Sequence, residues 1–277
     1  MNNFGMSCEL EHSKERERWN QFGEKRLNEI RKSPSDFLIT HSPYVYFAMH
    51  HDLMKALDLL RGKNVLELGC GTGKLSVFLA QQGAKTMGVD VSPNLIEASR
   101  LLAQVNGVEC GFQVANITEL PYEKNSYDIV VGISILHHLS ERDVAKALQE
   151  AHKVLKDGGK AIFYEPVENS RLFDLVQKIF PVGKKKSGYY RPSILRRKEW
   201  AKYKRTLDDR TMTNRELVAA GSIFNAVELK PYGLLIRLQR WLGAGRRKTL
   251  GTIDRFLFRV FPPLRYLCQT VLVVYQK

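Results

Sequence analysis

From Asn64 onward, short apolar runs alternate with stretches whose apolar residues recur every three or four positions, a pattern that predicts β-α-β units around a parallel sheet. The runs are Asn64 to Leu68, Thr86 to Asp90, Phe112 to Ala115, Tyr127 to Ile133 and Lys160 to Tyr164. Helical periodicity fills Lys74 to Gln82, Pro93 to Asn106 and Glu141 to Lys156, and Asp157-Gly158-Gly159 supplies a stop for the last. Upstream, a charged helix over Lys14 to Lys32, a Ser33-Pro34-Ser35 break and a second helix over Tyr44 to Leu60 are expected to cap a pocket. Downstream, Ser170 to Arg210 is basic and aromatic. Thr213, followed three residues later by Glu216, predicts a capped helix to Ala220. Ala226 to Lys230 and Thr270 to Tyr275 read as the last two strands, separated by an insertion, Gly233 to Leu267, rich in Leu, Phe and Arg.

Composition changes this picture in two ways. The 277 residues are 44% hydrophobic, enough for a large core. Four cysteines, Cys8, Cys70, Cys110 and Cys268, form no Cys-x-x-Cys pair, so no disulfide framework and no metal site is expected, and a reducing cytosol fits. The first eighteen residues are polar where an export signal needs an apolar stretch, and no apolar run approaches the ~20 residues of a spanning helix. A cytoplasmic protein that does not span a membrane is therefore expected. The net charge of +14 is unevenly placed: residues 1–167 hold 19 Lys+Arg against 21 Asp+Glu, residues 168–277 hold 24 against 8. Such asymmetry points the C-terminal part toward an anionic partner.

The first apolar run leads into Glu67-Leu68-Gly69-Cys70-Gly71-Thr72-Gly73 and then a helix. Glycines let the backbone turn tightly and approach a ligand where a side chain would collide. The second run ends at Asp90, whose carboxylate can accept from both hydroxyls of a ribose, and it lies the ~20 residues past Gly69 expected in nucleotide-binding α/β units. A phosphate-binding P-loop fails twice, because Leu68 replaces its first glycine and Leu75 its hydroxyl residue. A dinucleotide fingerprint fails at Lys74, which stands where its third glycine belongs.

Val65-Leu66-Glu67-Leu68-Gly69-Cys70-Gly71-Thr72-Gly73 resembles the first motif of class I S-adenosylmethionine-dependent methyltransferases. Gly88-Val89-Asp90-Val91-Ser92 resembles the family's second-strand motif. Leu120-Pro121-Tyr122 with Tyr127-Asp128-Ile129-Val130, then Leu155-Lys156-Asp157-Gly158-Gly159, resemble its later marks. The resemblance covers Asn64 to Pro166. It implies a Rossmann-like, seven-stranded, mostly parallel sheet with helices on both faces, divided as a helical cap (1–62), a cofactor-binding core (63–167) and a basic region with the last strands (168–277). It also implies S-adenosylmethionine as cofactor: Glu67 and Gly69, with Cys70, Gly71 and Gly73, beside the methionine moiety, Asp90 and Val91 at the ribose, Asn116 with Ile117 along the adenine, and Ile133 and Ser134 completing the pocket. Asn116 stands where the family usually has an aspartate, and its amide oxygen is expected to accept from the adenine amino group.

Methyl transfer to a hydroxyl needs an aligned acceptor and a base. His137 and His138 follow the fourth run and Glu165 ends the fifth, at the strand ends where open α/β sheets bind ligands. In small-molecule O-methyltransferases that the chain resembles, a histidine at the His-His-Leu position and an acid ending the fifth strand act together. In other members His-His-Leu only packs a helix start or lines the cofactor pocket. His50 and His51 read as ordinary surface or core histidines.

The insertion interleaves Leu234, Leu235, Ile236, Leu238, Trp241, Leu242, Phe256, Leu257, Phe258, Val260 and Phe261 with eight cations, as an interfacial element on anionic lipid does. A lid packed on the core is the plainer reading, and the two coexist. Ten cations with Tyr189, Tyr190, Trp200 and Tyr203 over Lys184 to Arg205 suit RNA, but the fourth strand ends in Gly132-Ile133-Ser134-Ile135 rather than the Asn/Asp-Pro-Pro-aromatic motif of base-amine methylases, which disfavours nucleic acid. The expected function is methyl transfer to O or N of a small, hydrophobic or lipid-like metabolite, in the cytoplasm with peripheral membrane contact. An RNA methyltransferase and a non-catalytic binding module are the alternatives. The sequence does not set the oligomeric state.

Overall fold

The computed structural model describes residues 3–45, 47–168, 170, 175, 179, 182–183, 190–204, 210, 212–235 and 247–277. Lys184, Lys185, Lys186, Tyr189 and the stretch 236–246 of the insertion, with Trp241, lie outside them.

Strands β1 (Asn64–Leu68), β2 (Lys85–Asp90), β3 (Gly111–Val114), β4 (Tyr127–Ile133) and β5 (Leu155–Pro166) pair in parallel. A two-stranded pair, β6 (Val182–Gly183) and β7 (Tyr190–Arg191), stands apart. Strands β8 (Ala226–Tyr232) and β9 (Thr270–Gln276) complete a seven-stranded sheet in the order β3-β2-β1-β4-β5-β9-β8, with β9 antiparallel to both neighbours. The fold is thus the seven-stranded, mostly parallel, Rossmann-like sheet that the resemblance implied.

Apolar residues run without alternation along these strands because both faces are covered. Leu66, Val130, Phe163 and Val273 face one core cluster, and their neighbours Val65, Val131, Ile162 and Leu272 face another. Helices α3 (Lys74–Gln81), α4 (Pro93–Val105) and α5 (Glu141–Val154) follow β1, β2 and β4. Helices α6 (Arg197–Lys204), α7 (Asn214–Ala220) and α8 (Arg247–Val260) lie in the C-terminal region.

Three elements differ from the sequence reading. Helix α5 stops at Val154 and β5 starts at Leu155, which pairs with Tyr127, before the register shifts to Lys160 opposite Ile129. The glycines that mark the stop sit inside this irregular strand, and the Lys277 ammonium takes the carbonyls of His152 and Leu155 at 2.9 and 2.6 Å, so a cation ends the helix. The second N-terminal helix, α2 (His50–Leu57), is shorter than Tyr44 to Leu60, since it ends at Asp58 with φ +56°. At α7, Thr213 Oγ1 accepts from Glu216 N at 3.1 Å, yet the Glu216 carboxylate is held by the Arg210 guanidinium, so an ion pair replaces the reciprocal half of the capping box.

Helix α1 (Asn3–Lys32) lies along α4. Ser92 Oγ donates to Asn20 Oδ1 at 2.7 Å, Asn94 Nδ2 to Asn20 O at 3.1 Å, and Arg31 pairs with Glu97 at 2.9 Å. The two backbones approach so closely at Gly23 that a Cβ there would stand 2.6 Å from Leu95 N. Gly23→Val is therefore expected to destabilise the chain by about 1–3 kcal/mol, read as a lower urea midpoint. An unchanged midpoint contradicts this packing.

Candidate functional site

The turn after β1 is built around Gly69 and Gly71, at φ +65° and +53°. At Gly69 a Cβ would meet Ile135 Cδ1 at 2.4 Å, whereas at Gly71 it would meet no atom within 4 Å and would stand in the cavity beside it. Cys70 N donates to Val89 O at 2.9 Å and ties the turn to β2. Asp90, at the end of β2 and only 8% exposed, accepts from Gly71 N and Ser92 N, both at 3.0 Å. One carboxylate thus holds the glycine turn against the start of α4.

These groups border a cavity of about 420 Å³ at the C-terminal ends of β1, β2 and β4. Its wall brings together Gly69, Gly71, Asp90, Val91, Asn116, Ile117, Ile133, Ser134, His137 and His138 from the residues expected at the site. Ser134 holds φ +56°, a left-handed conformation uncommon outside glycine. Glu67, Cys70 and Gly73 are not on that wall. Glu67 is buried beneath it, where its Oε2 accepts from Ser76 N at 2.9 Å and Ser76 Oγ at 2.5 Å in the first turn of α3. Burial pushes its carboxyl up to about 8, with Asp90 adding to the rise and the two Ser76 bonds opposing it. The buried Cys70 thiol is likewise pushed up by burial, then by Glu67 and Asp90. Asn116 departs from expectation in detail: its Oδ1 accepts from Thr118 N and Thr118 Oγ1, both at 3.0 Å. That local turn uses the amide oxygen and leaves the amide nitrogen, a donor, for a ligand.

Opposite the glycine turn, Glu165 at the end of β5 has no exposure. One of its oxygens accepts from Ile135 N at 2.9 Å and Leu136 N at 2.8 Å, and the other from His137 N at 3.4 Å, the backbone of a 3-10 turn, Leu136–His138. The second oxygen also lies 2.8 Å from His137 Nδ1. Because Glu165 is an acceptor toward the turn's N–H groups, Nδ1 is assigned as the ring's protonated nitrogen and Nε2 is left as an acceptor. His138 lies beside it. Its ring lies 4.1 Å from that of His137 and meets the edge of Trp19 at 5.7 Å.

Sequence reasoning missed five wall residues: Arg18 and Trp19 on α1, Leu95, Ile135 and Leu139. Arg18 lies over the Trp19 ring at 5.0 Å. A tryptophan in a charged helix was the one available signal for the α1 pair.

Residues 65–159 match the family model of a methyltransferase domain. Curated relatives include the methyltransferase GfsG of Streptomyces halstedii, 32% identical over 47% of this chain and 48% of its own. They also include a ubiquinone biosynthesis O-methyltransferase of Coxiella burnetii, 34% identical over 38% and 44%, and the sterol 4-C-methyltransferase strm-1 of Caenorhabditis elegans, 29% identical over 44% and 37%. The match spans less than half the length of each of these relatives. In fold, the chain is similar to the crystal structure of the PH0226 protein from Pyrococcus horikoshii OT3, with TM-score 0.57, 17% identity and coverage of 90% and 98%. Residues 65–159 thus carry a methyltransferase domain, in agreement with the class I S-adenosylmethionine-dependent motifs that the sequence resembles.

For this methyltransferase domain the implied cofactor is S-adenosylmethionine, and the wall fits it. The open side of Gly71 admits a ligand against backbone, Asp90 offers oxygens to ribose hydroxyls, and Ile117 with Ile133 gives apolar surface to an adenine. Asp90→Asn replaces one carboxylate oxygen by a donor. It is expected to weaken S-adenosylmethionine binding by about tenfold to a hundredfold, the worth of a hydrogen bond to a charged group, as measured by calorimetry.

Glu67 yields a separate expectation. Its folded value, about 8, exceeds the ordinary 4.5, so the native state holds a proton that the unfolded state has released. Its contribution to stability is present below pH 4.5 and is lost as pH rises toward about 8. Glu67→Gln should flatten that decline in urea unfolding followed across the same window. An unchanged slope removes Glu67 as its source.

Proposed function

We propose that the chain transfers a methyl group from S-adenosylmethionine to an oxygen or nitrogen of a small, hydrophobic or lipid-like acceptor, with His137 as general base and Glu165 as the carboxylate that positions it. The observation that carries this reading is the 2.8 Å contact between His137 Nδ1, on the cavity wall, and Glu165 Oε2, buried behind it. When bound, the donor supplies an electrophilic methyl carbon on a sulfonium. Asp90 would hold its ribose and the glycine turn its methionine end, which leaves the side of the cavity toward His137, His138 and Trp19 for the acceptor. His137 Nε2 takes the proton that the acceptor O–H or N–H gives up as its new bond to carbon forms and the carbon–sulfur bond breaks. The proton then passes to solvent, and Glu165 keeps the ring in one tautomer throughout.

The acceptor class rests on the wall itself. Trp19, Ile135 and Leu139 are apolar, and the cavity size lies in the range of small-molecule sites. Two of the relatives are named for sterol methylation and ubiquinone biosynthesis, which agrees with a hydrophobic acceptor. Incubation of the protein with labelled donor and a metabolite extract is expected to place label in organic-soluble material. Label in RNA instead favours the nucleic-acid alternative, and no transfer despite donor binding favours a non-catalytic module. His137→Ala is expected to lower kcat by about 10²–10⁴ while donor affinity stays within twofold or so. A kcat close to that of the unaltered chain excludes His137 as the base.

A further inference from the structure

Helix α8 has two apolar faces. Leu250, Asp254 and Phe258, spaced by four, are buried, and Phe258 joins the core cluster that holds Leu136 and Val167. Asp254 is occupied inside the protein, where it accepts from Leu234 N at 3.0 Å and Leu235 N at 2.6 Å. On the outward side, Ile253, Phe256 and Val260 stand at i, i+3 and i+7 with 40%, 62% and 48% exposure, and Phe261 and Tyr266 continue the surface. The outward face of a helix packed on a soluble core is normally polar. Here its polar flank consists of Arg255 and Arg259, with Arg265 beyond, all exposed. From Pro231 to Lys277 the sole acidic residue is the buried Asp254.

The topology places this surface beside the site. The insertion leaves the sheet at Tyr232 and returns at Thr270, which are in register with each other, and Thr270 is in register with Pro166, next to Glu165. The arm therefore springs from the strand ends that carry the His137–Glu165 pair.

We infer that the exposed face of α8 and the segment after it docks on an anionic phospholipid surface, so that a lipid-like acceptor enters from the bilayer side. An apolar stripe flanked by arginines is the arrangement that lies in the headgroup layer, with the stripe among acyl chains and the cations at phosphate. Among the described residues no helix is long and apolar enough to span a membrane, so the contact is along the surface. A second copy of this chain fits poorly, because a two-fold contact sets these arginines against one another, and the sole acid from α8 onward, Asp254, is buried. The aliphatic share of the face, Ile253 and Val260 among the rings of Phe256, Phe261 and Tyr266, suits acyl chains better than RNA bases, which stack on rings alone. The purpose assigned to this surface rests on the acceptor reading above, but its existence does not.

The test is co-sedimentation of the full chain with vesicles of phosphatidylcholine alone and of phosphatidylcholine with phosphatidylglycerol. Binding is expected to the second only and to weaken as sodium chloride rises. Two double variants separate the components: Phe256→Ser with Val260→Ser removes the stripe, and Arg255→Gln with Arg259→Gln removes the flank. Each is expected to lower vesicle partitioning by about tenfold or more while donor affinity by calorimetry and the urea midpoint stay unchanged, as befits exposed positions. Equal binding to both vesicle types, or wild-type binding by either variant, overturns the proposal. So does a concentration-dependent dimer abolished by the stripe variant, or RNA binding abolished by the arginine variant with no vesicle binding. Vesicle binding without methyl transfer leaves the surface standing and counts against the acceptor reading alone.

Discussion

A carboxyl group without access to water persists only where its oxygens are filled, since leaving a buried acceptor unpaired costs on the order of 1–3 kcal/mol, more for a charged group. Glu165 meets that demand from a single source: three successive backbone N–H groups and one imidazole, all from the turn that follows β4. The same bonds fix Ile135, whose side chain leaves room for glycine alone at position 69, and they set His137 against the cavity. Strand β5, the turn after β4 and the glycine turn after β1 thus form one unit, and Gly69, Gly71 and His137 border one cavity because of it.

The sheet was legible because parallel strands buried on both faces leave unbroken apolar runs, and β1 and β4 begin and end where those runs do. The glycine turn was legible for a different reason: a left-handed φ of +65° and the Ile135 side chain leave glycine as the sole choice at Gly69. Side-chain destinations were less so. Glu67 belongs to the donor motif yet serves α3 through Ser76, and Asn116 spends its oxygen on Thr118 two residues away, both decided by local geometry that a one-letter string does not carry. Arg18 and Trp19 were invisible because the cavity reaches them through the packing of α1 on α4, a contact between segments some seventy residues apart. Periodicity marked the insertion as amphipathic, but it could not say which of its apolar residues the core would claim; Phe258 went inward and Phe256 stayed out.

The uneven charge along the chain acquires a structural meaning from the same elements. In the first part Asp128 is tied to Asn64 N and Lys156, which hold its carboxyl below the usual range against the effect of burial. In the last part, the single acid after β8 is enclosed, and Arg255, Arg259 and Arg265 are left exposed.

Strand β9 is interior to the sheet although it follows the insertion, and its Thr270 hydroxyl meets Tyr164 across 106 positions of chain. Until Thr270 to Gln276 has been synthesised, β5 and β8 present two bare edges, the kind that recruit strands from other molecules. Such distant pairing is slow to form, so the nascent protein passes through its most aggregation-prone interval with the sheet beside the His137 turn still open.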